Sequence, residues 1–368
     1  MNLKNSGAIL GVFAASTLLI SACGNSASDS DTAKKVEGVT CEGQANLKAS
    51  GSSAQANAMT LFANSYATTC EGKTIDYNSN GSGAGVKEFT GGLTNFGGSD
   101  SPLKEDEATA AATTCGSEAW NLPLVFGPIA VTYNLDGVDA VNLSGPTLGK
   151  IFNGTIKKWN DPAIAAENSG VSLPDQDIIV IFRSDESGTT DNFQKYLEAA
   201  SDGTWTQGAG KSFAGGVGEG AKGNEGTSAA IKNSPGSITY NEWSYATNQG
   251  LSIANIITSA GPEAVPLSVE TVGKTIDGAT LKNPGSNNLV LDTSSFYKPS
   301  VAGAYPIVLA TYEIVCSNYS DDATGQAVKS FLKVAASTDV QSSLEAEGYI
   351  PIPEGFSTQL NTAIDSIQ

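Results

Sequence analysis

The 368-residue chain contains no histidine. That absence removes Ser-His-Asp and Cys-His hydrolases and most zinc enzymes, whose proton transfers or metal ligation use imidazole. Acid–base chemistry would fall to carboxylates, lysine or tyrosine. Basic residues are also few: 20 Lys and Arg stand against 38 Asp and Glu, a formal net charge of −18. This balance argues against nucleic acid as a partner and against a wide electrostatic funnel for anions. An anion would have to be held by local dipoles and short hydrogen bonds. No G-x-x-x-x-G-K-[ST] occurs, so there is no nucleotide P-loop. The turn Gly81-Ser82-Gly83-Ala84-Gly85 lacks the G-x-G-x-x-G spacing of a dinucleotide site. The five cysteines include no CxxC pair, which makes metal binding the weaker reading of the thiols.

The length is sufficient for two domains with real cores. The first residues read as a targeting segment: Lys4, an apolar run from Ile9 to Ile20, then Ser21-Ala22-Cys23. The run is too short for a comfortable membrane span, so a cleaved signal is expected. Leu19-Ile20-Ser21-Ala22-Cys23 resembles the bacterial lipobox, which makes 1–23 a lipoprotein signal peptide with Cys23 as the lipidated residue. Small, polar and charged residues then suit a flexible tether over 24–40. Cys41, Cys70, Cys115 and Cys316 remain, and four cysteines in an exported chain imply two disulfides, with three pairings open.

From Leu47 onward the chain alternates strand, small-residue turn and helix, an α/β pattern. Asn46 to Ser50 leads into Gly51-Ser52-Ser53-Ala54 and a helix over 57–67. Thr74 to Tyr77 leads into Asn80 to Gly85, with a helix opening at Val86, and Leu93 to Ser99 ends in Asp100. Ligands of open α/β sheets bind outside the carboxyl ends of strands. Leu122 to Asn134 reads as a strand passing between domains, and 204–225 as a long glycine-rich loop before a helix start at Gly226. Residues 250–303 are weakly periodic. Ile307 to Val315 reads as a strand, 323–335 as an amphipathic helix, 341–347 as a short helix, and Tyr349 to Pro353 as an extended apolar tail.

One stretch organises the rest. Ile178 to Ile181 reads as a buried strand, and Asn192 to Ala200 as a helix. Between them, Arg183 to Thr190 offers one guanidinium, four hydroxyls and Gly188 at a helix start. Unpaired N–H groups, the positive end of the macrodipole and a fork-shaped Arg favour a tetrahedral oxyanion. The plainer reading is a Ser/Thr N-cap beside a surface Arg.

Five motifs then occur in order: GSSA at 51–54, NGSGAGV at 80–86, FGGSD at 96–100, IFNGTIKKWNDP at 151–162 and FRSDESGTT at 182–190, followed by NSPGSITY at 233–240. On these motifs the chain resembles the substrate-binding lipoproteins of phosphate-specific ABC transporters, from about Leu47 to the C-terminus. The resemblance implies an α/β, two-lobe periplasmic-binding-protein fold, type II-like, with crossing hinge strands and a ligand cleft between lobes. Lobe I would comprise 41–127 and 307–368, and lobe II 128–306. It implies phosphate contacts from Ser53, the Ala54 N–H, Ser82 and Asp100 on one side, and from Arg183, Ser187, the Gly188 N–H and Thr189 on the other. Asp185 would hold the Arg183 fork. Family members commonly carry Thr and a bulky residue where this chain has Ser53-Ala54, so Ser52 stays an alternative at the first turn. In that topology the helix after the first strand returns antiparallel, which favours Cys41–Cys70, with Cys115–Cys316 closing lobe I.

The expected function is high-affinity extracytoplasmic phosphate binding and delivery to the transmembrane subunits of an ABC permease. The protein would be held at the membrane by its lipid, with no cofactor, no metal and no enzymatic step. Phosphate keeps at least one proton near neutral pH, and an ionised Asp100 can accept it, whereas sulfate has none to give. The alternatives are a receptor of the same fold for sulfate or molybdate, and an exported phosphatase using Ser187 or Ser53 as nucleophile, which would lack a histidine base.

Overall fold

Apolar segments alternate with hydroxyl-rich turns because the longer apolar segments become strands of one main sheet and the turns after them open helices at their ends. The computed structural model describes residues 33–368. The signal segment, Cys23 and most of the tether lie outside them. Asn46–Gly51 (β1) leads into Ala56–Thr69 (α1), Thr74–Asn78 (β2) into Ser82–Thr90 (α2), and Phe96–Ser99 (β3) into Glu105–Cys115 (α3). The long strand Ala119–Tyr133 (β4) is followed by Asn142–Ser144 (β5), Gly145–Phe152 (α4) and Pro162–Glu167 (α5). Next come Ile179–Arg183 (β6), Gly188–Ala200 (α6), Glu219–Ala221 (β7), Gly223–Lys232 (α7), Ser237–Glu242 (β8) and Trp243–Gln249 (α8). Short pieces fill the following stretch: Ser252–Ile253 (β9), Asn255–Ile257 (β10), Ala264–Val265 (β11), Val269–Ile276 (α9), Thr280–Leu281 (β12), Leu291–Asp292 (β13) and Ser294–Tyr297 (α10). Val308–Cys316 (β14), Asp322–Ala335 (α11), Thr338–Gln341 (α12) and Glu354–Asp365 (α13) complete the chain.

The main sheet runs β2-β1-β3-β14-β4-β8-β6-β7, with β9 also on β4. Pairs β1/β2, β1/β3, β6/β8 and β6/β7 are parallel, whereas β14 is antiparallel to both β3 and β4, and β4 to β8. β4 joins the two halves. Its residues Ala119 to Pro128 pair with β14, and Ile129 to Tyr133 pair with β8. Every residue of β4 and of β14 is buried, which is why both read as continuous apolar runs rather than alternating patterns. The register between them shifts at Thr311/Tyr312, leaving Leu124 between Pro123 and Val125 without a partner on β14. The Gln341 side-chain amide takes the Leu124 carbonyl instead. A bulge of this kind re-aims side chains, and Thr311 beside it reaches into the site described below.

Glycine permits the close approach of α2 to this sheet. A Cβ on Gly85 would lie 2.5 Å from the Gly51 Cα and 2.8 Å from the Gly98 carbonyl oxygen, so a side chain there would lift the helix off β1 and β3. In the other half an aromatic cluster supports β6 and β8: Phe193 stacks on Tyr240 at 4.5 Å, and Phe152 meets Phe193 edge-on at 4.8 Å. Disulfides Cys41–Cys70 and Cys115–Cys316, with Cα separations of 5.3 and 5.4 Å, tie the approach to β1 to the end of α1, and the end of α3 to the end of β14. The pairing is the one favoured by topology.

Several local expectations need correction. Ile179 is exposed and Ile178 only half-buried, so the strand expected to be buried is sealed mainly through Val180 and Ile181. Helix α2 begins at Ser82, inside the glycine-rich turn, and α7 begins at Gly223, inside the expected loop, which also holds β7. The weakly periodic stretch holds α9, capped by Ser268. The expected tail continues into α13, whose Leu360, Ala363 and Ile364 are buried. No helix among the described residues is long and apolar enough to cross a membrane.

Glu313 of β14 is fully buried, and neither of its carboxyl oxygens has a hydrogen-bond partner among the described residues. Burial pushes this carboxyl up to about 8. The folded protein therefore keeps a proton that the unfolded chain releases near 4.5. Stability from this group is greatest at low pH and falls as pH rises between those values, by up to about 1.4 kcal/mol per pH unit. Glu313→Gln is expected to flatten the decline in thermal stability from weakly acid to weakly alkaline pH. An unchanged slope would mean that Glu313 is not held protonated.

Candidate functional site

The carboxyl ends of β1, β3 and β6 and the starts of α2, α6 and α7 converge. Asp100, directly after β3, is 3 % exposed. Its Oδ1 accepts from Ser52 Oγ at 2.5 Å and from Thr311 Oγ1 at 2.8 Å, and its Oδ2 accepts from Ser82 Oγ at 3.3 Å. Burial pushes its pKa up, and the Ser52, Thr311 and Ser82 hydroxyls and the Arg183 charge oppose that rise. Three hydroxyl donors suit a carboxylate. A carboxylate offers about four lone-pair directions, so Oδ2 retains room for one more donor.

Arg183, the last residue of β6, is 2 % exposed. It meets Asp185 fork to fork, Nε to Oδ1 at 2.8 Å and Nη2 to Oδ2 at 2.5 Å, and its Nη1 reaches Thr189 Oγ1 at 3.4 Å. That leaves one N–H on each terminal nitrogen for a further acceptor. The backbone N–H of Arg183 is held by Tyr240 Oη at 3.2 Å, so the stacked aromatic cluster fixes the base of the guanidinium arm. Asp185 also accepts the Gly223 N–H at 3.1 Å. Burial raises its pKa, but the Arg183 bonds and charge and the Gly223 N–H outweigh burial, and the net displacement is downward.

The remaining expected residues gather here with distinct partners. Ser187 caps α6, its Oγ accepting the Thr190 N–H at 3.1 Å. The Gly188 N–H donates to Ser82 Oγ at 3.2 Å, and a Cβ on Gly188 would lie 2.5 Å from Asp100 Cβ and from Ser82 Oγ. Only glycine lets the two halves approach this closely. The Ala54 N–H donates to Ser52 Oγ at 3.0 Å. Ser53 Oγ accepts from both the backbone N–H and the side-chain amide of Asn224, each at 3.1 Å. Ser101 Oγ donates to Asp191 Oδ2 at 2.5 Å as a further bond between the halves.

Thr311, Asn192, Asn224 and Tyr297 also belong to this network, although none stands out in the sequence as a site residue. Asn192 Nδ2 donates to the Asp100 carbonyl at 2.7 Å, and its Oδ1 accepts from Tyr297 Oη at 2.6 Å. Thr311 had a signal, a hydroxyl inside an apolar strand. Asn224 was hidden because α7 was expected to start at Gly226, two residues beyond it. Among the described residues no cluster of three or more His, Cys, Asp or Glu is arranged to hold a metal.

Residues 28–339 match the PBP superfamily domain. The chain belongs to this superfamily. It is 59 % identical over 371 residues, covering all of both chains, to phosphate-binding protein PstS 3 of Mycobacterium tuberculosis. To phosphate-binding protein PstS of Xylella fastidiosa it is 33 % identical over 293 residues, covering 78 % of this chain and 77 % of that one. Among solved structures it is similar in fold to a high-affinity periplasmic phosphate-binding protein with bound phosphate, at TM-score 0.68 and 21 % identity, covering 86 % of this chain and 93 % of the other. A phosphate-binding protein from Stenotrophomonas maltophilia gives TM-score 0.67 at 20 % identity, covering 87 % and 94 %. The fold is thus the two-lobe α/β fold of periplasmic binding proteins.

Removing one partner of a buried ion pair strands the other charge. Asp185→Asn is expected to destabilise the protein by on the order of 3 kcal/mol at neutral pH in urea unfolding. Because the folded-state pKa of Asp185 is depressed, the wild-type advantage is present above the ordinary value of 3.8 and is lost as pH falls through the lower folded value. A deficit that stays constant under acid would show that the pair is not its source.

Proposed function

We propose that this protein is a receptor that captures inorganic phosphate outside the cytoplasm and delivers it to an ABC permease for import, with no catalytic step. The observation that carries this reading is the Asp100 carboxylate. It is buried, supplied with donors from three hydroxyls, and keeps one acceptor direction on Oδ2. It stands opposite Arg183, Thr189 and the N-terminus of α6, which are donors for an anion. Donors on one side and a single strong acceptor on the other match an oxyanion that still carries a proton. Phosphate does so at neutral pH and sulfate does not. The relatives named as phosphate-binding proteins support the same reading.

In this reading Ser53, the Ala54 N–H, Ser82 and Asp100 form one jaw, and Arg183, Ser187, Gly188 and Thr189 the other, with Asp185 holding Arg183. Ser53 is favoured over Ser52 as the first-turn contact, because Asn224 fills both acceptor positions of Ser53 Oγ and its proton stays available. Ser82, whose proton goes to Asp100 Oδ2 in this structure, would turn it to the phosphate on binding. The lobes are 41–127 with 307–368, and 128–306. The boundary is supported by β4, whose pairing passes from β14 to β8 between Pro128 and Ile129. Closure of one lobe on the other would trap the ion. Cys23 would carry the lipid that keeps the receptor beside its permease.

Asp100→Asn replaces an acceptor-only group with one that also donates. Calorimetry is expected to find the phosphate-over-sulfate preference reduced roughly tenfold or more. An unchanged ratio would remove Asp100 as acceptor of the phosphate proton.

A further inference from the structure

Asn224 lies in the first turn of α7, and it is wholly buried, as are Ser53 and Thr189. Each of its polar groups has a partner. The backbone N–H and Nδ2 donate to Ser53 Oγ at 3.1 Å, Nδ2 also reaches Thr189 Oγ1 at 3.4 Å, and Oδ1 accepts the Glu242 N–H at 2.9 Å. The Glu242 bond decides which end of the amide is oxygen, since a backbone N–H can only donate. Nδ2 therefore faces the two hydroxyls.

A hydroxyl has one proton and two acceptor positions. On Ser53 both acceptor positions are filled by Asn224. On Thr189 one is filled by Asn224 and the other by Arg183 Nη1. Neither hydroxyl has a further acceptor role left. We propose that Asn224 is a positioning residue of the anion site, which fills the acceptor positions of Ser53 and Thr189 and so leaves these two hydroxyls, one from each lobe, able only to donate to the bound oxyanion. The inference rests on the phosphate reading above and deepens it. Without Asn224 the Ser53 hydroxyl is free to rotate and Thr189 keeps only its bond from Arg183 Nη1, so both must be oriented at the moment of binding. With it, donors are set in advance, and preorganisation of this kind raises affinity without a new contact to the ligand. Asn224 also bridges the lobes, so its two bonds form together only when Ser53 and Thr189 approach one another.

The test is a double-mutant cycle read by calorimetric titration with inorganic phosphate, with melting temperature followed in each protein. Asn224→Ala is expected to weaken binding roughly ten- to hundredfold, and Ser53→Ala to weaken it comparably. In the Ser53→Ala background the same Asn224 substitution should cost at least threefold less than it does in wild type. If Asn224→Ala lowers the melting temperature too far to titrate, Asn224→Asp serves instead, because it keeps the acceptor for the Glu242 N–H. Repulsion from its new charge acts in both backgrounds, and its oxygen draws the Ser53 proton away from the anion only where Ser53 is present, so the difference between backgrounds reads the orientation of that hydroxyl. Equal losses in the two backgrounds, or wild-type affinity in the Asn224 variants, overturn the inference while leaving the phosphate reading intact. Failure of the wild-type protein to bind phosphate overturns both.

Discussion

A buried carboxylate, Asp100, is the constraint around which the molecule is arranged. A charge removed from water costs several kcal/mol unless its lone pairs are filled. Here the filling comes from three separate parts of the chain: Ser52 after β1, Ser82 at the start of α2, and Thr311 in β14. Those three segments are neighbours only because the sheet order places β1, β3 and β14 side by side. The sheet thus supports the carboxylate, and the carboxylate in turn anchors the ends of the sheet. Its carbonyl holds Asn192 of α6, which carries the constraint into the second half.

The second half presents the complementary charge. Arg183 is buried, yet it does not neutralise Asp100, because Asp185 already occupies two of its donors. The site therefore keeps a carboxylate with spare acceptor capacity and a guanidinium with spare donors, facing one another. In a protein of net charge −18 this local arrangement has to work against the overall field. Screening shortens that field to about 8 Å at physiological ionic strength, whereas hydrogen bonds inside a closed site are not screened. Affinity must come from short bonds, and the geometry is built from them.

Much of this was legible in the chain. The strand–turn–helix cycles, β4 as a strand between domains, β14 as a strand and the hydroxyl-rich turns follow from apolar runs bounded by small residues, and the return of β14 to the first lobe was implied by the family resemblance. The cysteines alone left three pairings open, and the pairing found is the one favoured by the topology that the resemblance implied. What was hidden depends on long-range contact. Thr311 matters because β14 lies beside β3 and brings its hydroxyl to Asp100, a pairing between strands far apart in sequence that leaves no trace in composition. Asn224 matters because α7 starts at Gly223, three residues before the start that Gly226 suggests, within a glycine-rich stretch that reads as loop. Helix α13 escaped because Tyr349 to Pro353 reads as an extended apolar tail, whereas Pro353 stands at the helix N-cap.

The site is built for an oxyanion that carries a proton. Calorimetric titration of the purified protein with phosphate and with sulfate, at neutral pH and the same ionic strength, tests it most directly. Phosphate is expected to bind roughly a hundredfold or more tighter than sulfate, because only phosphate can satisfy Asp100 Oδ2. Equal affinity for the two anions would contradict it.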